Sequence, residues 1–323
     1  MRVHGGDVAA AAAGHGGRAE DWLDLSTGIN PVPYPLPPIP PRAWAALPAS
    51  GDIAALEAAA RAAYGTQAEA VALAGAQAAI QLVPRLCPGA DARVLGPTYE
   101  EHAGALADAG HAVRQVAETE DLAGADLAIL VNPNNPDGRR HAPAALLALA
   151  ERVGLLVVDE SFADAEPALS LAPHLAFHME RVLVLRSFGK FYGLAGLRLG
   201  FALAAPARAD SLRRLAGPWP VSGPAVAVGR AALADARWQD ATRARLVRDA
   251  ARLDALATAA GWRRVGGTPL FATWETGDGA AAQDRLARAR IWSRAFPYAP
   301  SWLRLGLPGD EPGWARLEAA LAP

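Results

Sequence analysis

Three short, uninterrupted apolar runs, at 127–131, 155–158 and 182–185, constrain the fold more than any other feature of this sequence. Each has the length of a strand, and none alternates polar with apolar residues as a half-exposed strand would. A strand that is apolar on both faces must be covered on both faces. Segments with helical spacing lie between such runs, so the pattern predicts a mainly parallel sheet within an α/β domain. The alternation extends along the chain: strands are expected at 70–74, 93–95 and 199–204, and helices at 52–64, 76–86, 100–109 and 144–153. Beyond Pro218 long Ala/Arg/Leu helices are expected at 221–234 and 238–260, then short strands at 271–274 and 302–305, the texture of a smaller α+β domain. The expected organisation is an N-terminal segment, 1–44, that joins the small domain, a large domain over 45–217 and a small domain over 218–323. The Pro-rich stretch 31–41 reads as an extended connection.

A chain of 323 residues, 52% apolar and 20% charged, can bury a large core. Its formal charge of −2 provides no basic footprint for nucleic acid or an anionic membrane, which leaves small-molecule partners. Cys87 is the only cysteine, which excludes an internal disulfide or a multi-thiolate metal site and fits a reducing, cytoplasmic setting. Residues 1–13 lack the pattern of a signal peptide, and no apolar run is long enough to span a bilayer.

The apolar runs end in polar residues: Asn132 after the first, Asp159 after the second, Arg186 and Ser187 after the third. Ligands of open parallel sheets sit beyond the carboxyl ends of strands, so these ends nominate one crevice. The basic residues add a second clue. Of 31, 30 are arginine and one is lysine, Lys190. A guanidinium stays protonated and is a poor nucleophile, whereas an ε-amine can lose its proton and condense with a carbonyl. The four asparagines fall in two short segments, Asn30 in one and Asn132, Asn134 and Asn135 in the other, as expected of amides retained for hydrogen bonding. Singly, Asp159 also reads as a helix cap, Asn135 as a turn residue and Tyr99 as core. Arg198, between Leu197 and Leu199, reads as a charge in an apolar segment that needs a partner.

The order Asn-Pro-Asn-Asn-Pro-Asp-Gly at 132–138, Asp159-Glu160, Ser187-Phe188-Gly189-Lys190 and then Arg198 resembles the fold-type I pyridoxal-phosphate enzymes of aminotransferase class I and II. The resemblance covers nearly the whole chain and implies an aspartate-aminotransferase-like fold that binds pyridoxal 5'-phosphate. It implies that Lys190 forms the Schiff base to the cofactor, that Asp159 keeps the pyridine nitrogen protonated, and that Tyr99 stacks on the ring. It further implies that Asn135 bonds the phenolic oxygen, and that Ser187, Arg198 and the Gly75-Ala76-Gln77 helix start hold the cofactor phosphate.

Within that family the segments His4-Gly5-Gly6, Asp24-Leu25-Ser26-Thr27-Gly28-Ile29-Asn30-Pro31 and Pro218-Trp219-Pro220-Val221-Ser222 are similar to those of the L-threonine-O-3-phosphate decarboxylases of cobalamin biosynthesis. Phe162 stands where histidinol-phosphate aminotransferases usually carry tyrosine. By this resemblance Arg304 grips the substrate carboxylate and Arg294 is a second anion ligand, while His4, Gly28, Ile29, Asn30 and Asn135 complete the substrate site. The substrate is then a small phosphorylated amino acid and the assembly a homodimer. Two departures stand out: Leu47-Pro48 replaces the Tyr-Pro that reaches a neighbouring subunit, and Asp137 replaces a threonine.

Decarboxylation and transamination differ in which bond at Cα breaks, and the sequence leaves both open. A non-catalytic module with this fold is a third reading, disfavoured by the retained lysine. His174 and His178 have i, i+4 spacing, yet no glutamate follows His174, so no metal is expected.

Overall fold

A computed structural model of the chain describes residues 5–175 and 180–322. Its strands are β1 (Leu23–Asp24), β2 (Glu69–Leu73), β3 (Asp91–Leu95), β4 (Ala112–Val116), β5 (Leu127–Val131), β6 (Leu155–Asp159), β7 (Val182–Ser187), β8 (Gly200–Ala204), β9 (Arg263–Thr268), β10 (Phe271–Glu275), β11 (Ile291–Trp292), β12 (Arg294–Phe296) and β13 (Ala299–Gly306). The chain divides into two compact units. One comprises Tyr34–Asn135 and Arg140–Asp240, the other Met1–Pro33, Pro136–Arg139 and Ala241–Pro323.

The first unit is built on a seven-stranded sheet in the order β2-β8-β7-β6-β5-β3-β4. Strands β3 to β7 run parallel, and β8 is antiparallel to both β7 and β2. Every residue of β5, β6, β7 and β8 is buried, which is why these strands read as continuous apolar runs. The edge strand β4, Ala-Val-Arg-Gln-Val, has no buried residue, so no apolar run announced it. The helix Pro206–Ala216 was also silent: it buries only Ala209 and Leu212, and its start is set by proline in the first turn.

The helix Gly223–Ala234 belongs to this unit, although the change of texture at Pro218 had assigned it to the smaller domain. Gly229 lets it approach: a Cβ there would lie 2.6 Å from Leu199 and 2.9 Å from Leu56. The compact units accordingly divide near Asp240.

The second unit holds a four-stranded antiparallel sheet, β12-β13-β10-β9, and the parallel pair β1-β11. Its helices include Gly279–Arg288 and Glu311–Leu321, whose Asp278 and Asp310 caps accept from Ala281 N and Gly313 N. Thr273 Oγ1 donates to the Pro136 carbonyl at 2.6 Å, tying the 136–139 segment to β10. Asp137 accepts from Arg139 N at 2.9 Å, so the residue that replaces threonine closes its own turn. No helix among the described residues is long and apolar enough to cross a membrane.

Candidate active site

Sheet register aligns the polar strand ends. Asp159 lies opposite Val131 on β5 and Leu185 on β7, and Ser187 lies opposite Gly200 on β8. Asp159 is 3% exposed. Its Oδ1 accepts from Ser161 N at 2.9 Å and Ser161 Oγ at 2.5 Å, and its Oδ2 faces His102 Nε2 at 2.8 Å. Burial is the largest influence on this carboxyl and pushes its pKa up, but the bonds from His102 and Ser161 together outweigh it and hold the group below the usual aspartate value. A buried, ionised carboxylate results.

His102 is a residue that motif reading missed. Its buried Nδ1 has no hydrogen-bond partner among the described residues, so the ring's one such contact is with Asp159. The available signal was spacing: His102 follows Tyr99 by three residues at the start of the helix Glu101–Asp108, and the two rings meet edge to face at 6.3 Å.

Lys190 lies in the short helix Phe188–Phe191 that leaves β7. Phe188, Phe191 and Tyr192 are fully buried, and Phe188 stacks on Tyr192 with centroids 4.2 Å apart, so the segment is locked while Lys190 is half-buried. Its Nζ is 5.6 Å from the centre of the Phe162 ring. The Ser187 hydroxyl makes no hydrogen bond among the described residues.

Arg198 differs from expectation in being exposed, held in a left-handed conformation at φ 55°. Its guanidinium donates to the carbonyls of Ala195 at 3.1 Å and Ala74 at 3.4 Å, and no carboxylate among the described residues pairs with it. Gly75, with φ 83°, caps the helix Ala76–Leu82, and a Cβ there would lie 2.7 Å from Arg198 Nη2. Gly200 admits the same loop from below, since its Cβ would lie 2.5 Å from Ala76 N. The first-turn amides at Ala76 and Gln77 have no acceptor within the helix. A cationic, donor-rich cradle is the result.

Side-chain bonds brace the surrounding loops. Tyr99 Oη donates to Gln77 Oε1 at 3.3 Å, and Gln77 Nε2 donates to Glu101 Oε2 at 2.9 Å. Asn134 receives Thr98 Oγ1 at 2.6 Å and donates to the Pro97 carbonyl at 2.9 Å, joining the loops after β3 and β5. Asn132 donates to the carbonyls of His141 at 3.0 Å and Leu169 at 3.2 Å. Of the three clustered asparagines two are therefore staples, and half-buried Asn135 follows them at the end of the unit's first segment.

Strand alternation turns Glu160 and Arg186 to the faces opposite Asp159 and Ser187. There Arg186 pairs with Glu160 and with Asp164, each at 2.7 Å, and lies 4.3 Å from the Tyr64 ring centre. The two carboxylates keep the guanidinium charged despite burial, while burial pushes Glu160 up. Removing one partner of such a cluster costs about 3–5 kcal/mol, so it fixes the strand ends that carry Asp159 and Ser187.

In the second unit β12 and β13 set Arg294 opposite Arg304. Arg304 is 7% exposed and donates to the Ser26 carbonyl at 2.5 Å. Burial first, then the Arg294 charge, lower its pKa to about 10. Ser26 is held in turn by Asp24 Oδ1, which accepts its N–H at 2.8 Å and its hydroxyl at 2.6 Å, and Ser26 Oγ accepts from Gly6 N at 2.7 Å. Asn30 is buried, and its Oδ1 accepts from Arg245 Nη2 at 2.6 Å and Val32 N at 3.1 Å. Arg245 was not foreseen, because an arginine in an Arg-rich helix carries no motif. Gly28 is buried and Ile29 half-buried between these anchors. His4 lies outside the described residues, as does His178.

Comparison with known proteins extends this geometry. The family described as aminotransferase class I and II matches residues 42–317. The chain is 48% identical to a threonine-phosphate decarboxylase of a Sinorhizobium species, over 99% of this chain and 97% of that protein. It is 47% identical to the threonine-phosphate decarboxylase of Pseudomonas aeruginosa over the same shares. Among solved structures, histidinol-phosphate aminotransferase from Sinorhizobium meliloti in complex with pyridoxal-5'-phosphate superposes with a TM-score of 0.83 at 23% identity, covering 99% of this chain and 94% of that one. The chain belongs to the aminotransferase class I and II family.

Proposed function

We propose that this chain is a pyridoxal-phosphate-dependent carboxy-lyase that decarboxylates L-threonine O-3-phosphate to 1-aminopropan-2-yl phosphate. The observation that carries the reading is the 48% identity to a threonine-phosphate decarboxylase along 99% of the chain. The donor set fits the cofactor: one lysine amine, one buried carboxylate held ionised and, among the described residues, one hydroxyl without a hydrogen-bond partner and one guanidinium bonded only to carbonyls.

When bound, pyridoxal phosphate supplies a protonated heteroaromatic ring that accepts the electron pair of the bond being broken. Asp159, bonded by His102 and Ser161, would pair with the protonated ring nitrogen. Ser187, Arg198, the Gly75 turn and the amides of Ala76 and Gln77 would take the cofactor phosphate, Asn135 would bond the phenolic oxygen, and Tyr99 would cover the ring. Lys190 would hold the cofactor through its amine and would supply a proton at the substrate's Cα. Arg304 and Arg294 grip the substrate's carboxylate and phosphate, since guanidinium forks match both groups. Gly28, Ile29, Asn30 and His4 complete that site.

Which bond at Cα breaks depends on how the arginines orient the substrate, so transamination is the outcome to be tested against. The purified holoenzyme given L-threonine O-3-phosphate and no keto acid is expected to release carbon dioxide and aminopropyl phosphate in equal amounts. Amino transfer that requires a keto acid, with no carbon dioxide, would reject the proposal.

The proposed working form is a cytoplasmic homodimer. Trp44, Leu47 and Trp219 are 70%, 62% and 56% exposed and line a cavity of about 650 Å³ with Arg198 in the first unit. Exposed aromatic area of this kind marks an interaction surface. Sedimentation is expected to return twice the chain mass of 33.5 kDa. A monomer at working concentration would reject the dimer.

A further inference from the structure

The Arg294–Arg304 register presents a physical problem. Like charges directly opposite each other on antiparallel strands destabilise a sheet, and the Arg294 charge adds to burial in lowering the Arg304 pKa. Phe296 stands two residues from Arg294 on β12, just past a register shift between Ala295 and Phe296. The centre of its ring is 5.5 Å from Arg294 Cζ and 5.9 Å from Arg304 Cζ. Phe271, on β10, is a second ring 5.2 Å from Arg304 Cζ. Both rings are buried.

The face of an aromatic ring attracts a cation within about 6 Å, most strongly where water is excluded. A ring shared by two guanidiniums therefore offsets part of their repulsion. A carboxylate in that place would neutralise them, whereas a ring adds no negative charge to the pair. That distinction matters for a site that must take anions.

We propose that Phe296 is a positioning residue that holds Arg294 and Arg304 together as one anion-binding pair, suited to a substrate with two anionic groups. The inference rests on the reading of these arginines as the substrate's anion ligands. Its element of novelty is the ring: an aliphatic side chain of similar size fills the space but cannot hold the two cations.

The test compares Phe296→Leu with Phe296→Tyr in the holoenzyme. Phe296→Leu is expected to raise KM for L-threonine O-3-phosphate by about five- to thirtyfold, with kcat within about twofold of the parent. Inorganic phosphate, used as a competitive probe, is expected to weaken in parallel. Phe296→Tyr retains the ring and is expected to restore KM to within about threefold. An unchanged KM in Phe296→Leu overturns the proposal, as does an equal KM rise in both variants, which would indicate packing alone. Arg304→Gln separates the two levels: an unchanged KM in that variant defeats the anion-ligand reading itself, whereas a raised KM beside a normal Phe296→Leu defeats only the role of the ring. Should Phe296→Leu unfold, Phe296→Met serves in its place.

Discussion

Replacing Lys190 by arginine is expected to abolish decarboxylation, a loss of about 10⁴-fold or more, because in the proposed function the side chain is both the carrier amine and the proton donor to Cα. Arginine keeps the positive charge and nearly the length, but its guanidinium stays protonated and does not condense with a carbonyl. The fold should tolerate the change, since Lys190 is half-buried while its neighbours Phe188 and Phe191 anchor the segment. Far-ultraviolet circular dichroism and the unfolding midpoint are therefore expected to match the parent. Because Lys190 is the only lysine of the chain, borohydride reduction of the holoenzyme should attach the cofactor to a single internal peptide. Turnover retained in the arginine variant, or label recovered elsewhere, would defeat the assignment.

Asp159→Asn is expected to lower kcat by about 10²- to 10⁴-fold, the range in which a positioned acid–base group contributes. An amide nearly preserves shape but not charge, and it cannot hold a proton on a ring nitrogen. The same substitution has a consequence for stability. The folded pKa of Asp159 lies below its ordinary value of 3.8, so the ionised group stabilises the folded state at pH above 3.8. That contribution is lost as pH falls below 3.8 and through the lower folded value. Urea unfolding at neutral pH and near pH 3 should therefore show a smaller acid loss in the asparagine variant than in the parent. Equal acid losses would mean that the His102 and Ser161 bonds do not favour the ionised form.

The parts of the fold that could be read from the sequence are those in which burial acts on consecutive residues. Strands β5, β6 and β7 were readable because both of their faces are covered, and the expected runs fall short of them only at the polar carboxyl ends, Asp159 and Arg186-Ser187. Strand β4 was not, because it buries none of its residues, nor was β9, whose buried residues are Gly267 and Thr268. The helix Gly223–Ala234 was placed in the wrong neighbourhood for a related reason. Composition records that a helix is apolar, but not which surface receives it, and Gly229 against Leu56 and Leu199 decides that.

The site divides in the same way. Lys190 was conspicuous as a single amine among 30 arginines, and Asp159 as a carboxylate ending an apolar run. His102, Arg245 and the pairing of Arg186 with Glu160 and Asp164 were not legible, since each acts through a partner 22 to 215 residues away in sequence.

From its sequence alone the chain shows a sheet covered on both sides, a single lysine and a carboxylate at a strand end, because residue type and local spacing suffice for each. Only tertiary structure decided that His102 and Ser161 hold that carboxylate ionised, that Gly75 and Gly200 open a cationic cradle, and that Phe296 stands beside two opposed arginines. These depend on strand register and close approach, which arise when distant segments pack, and no single segment encodes them.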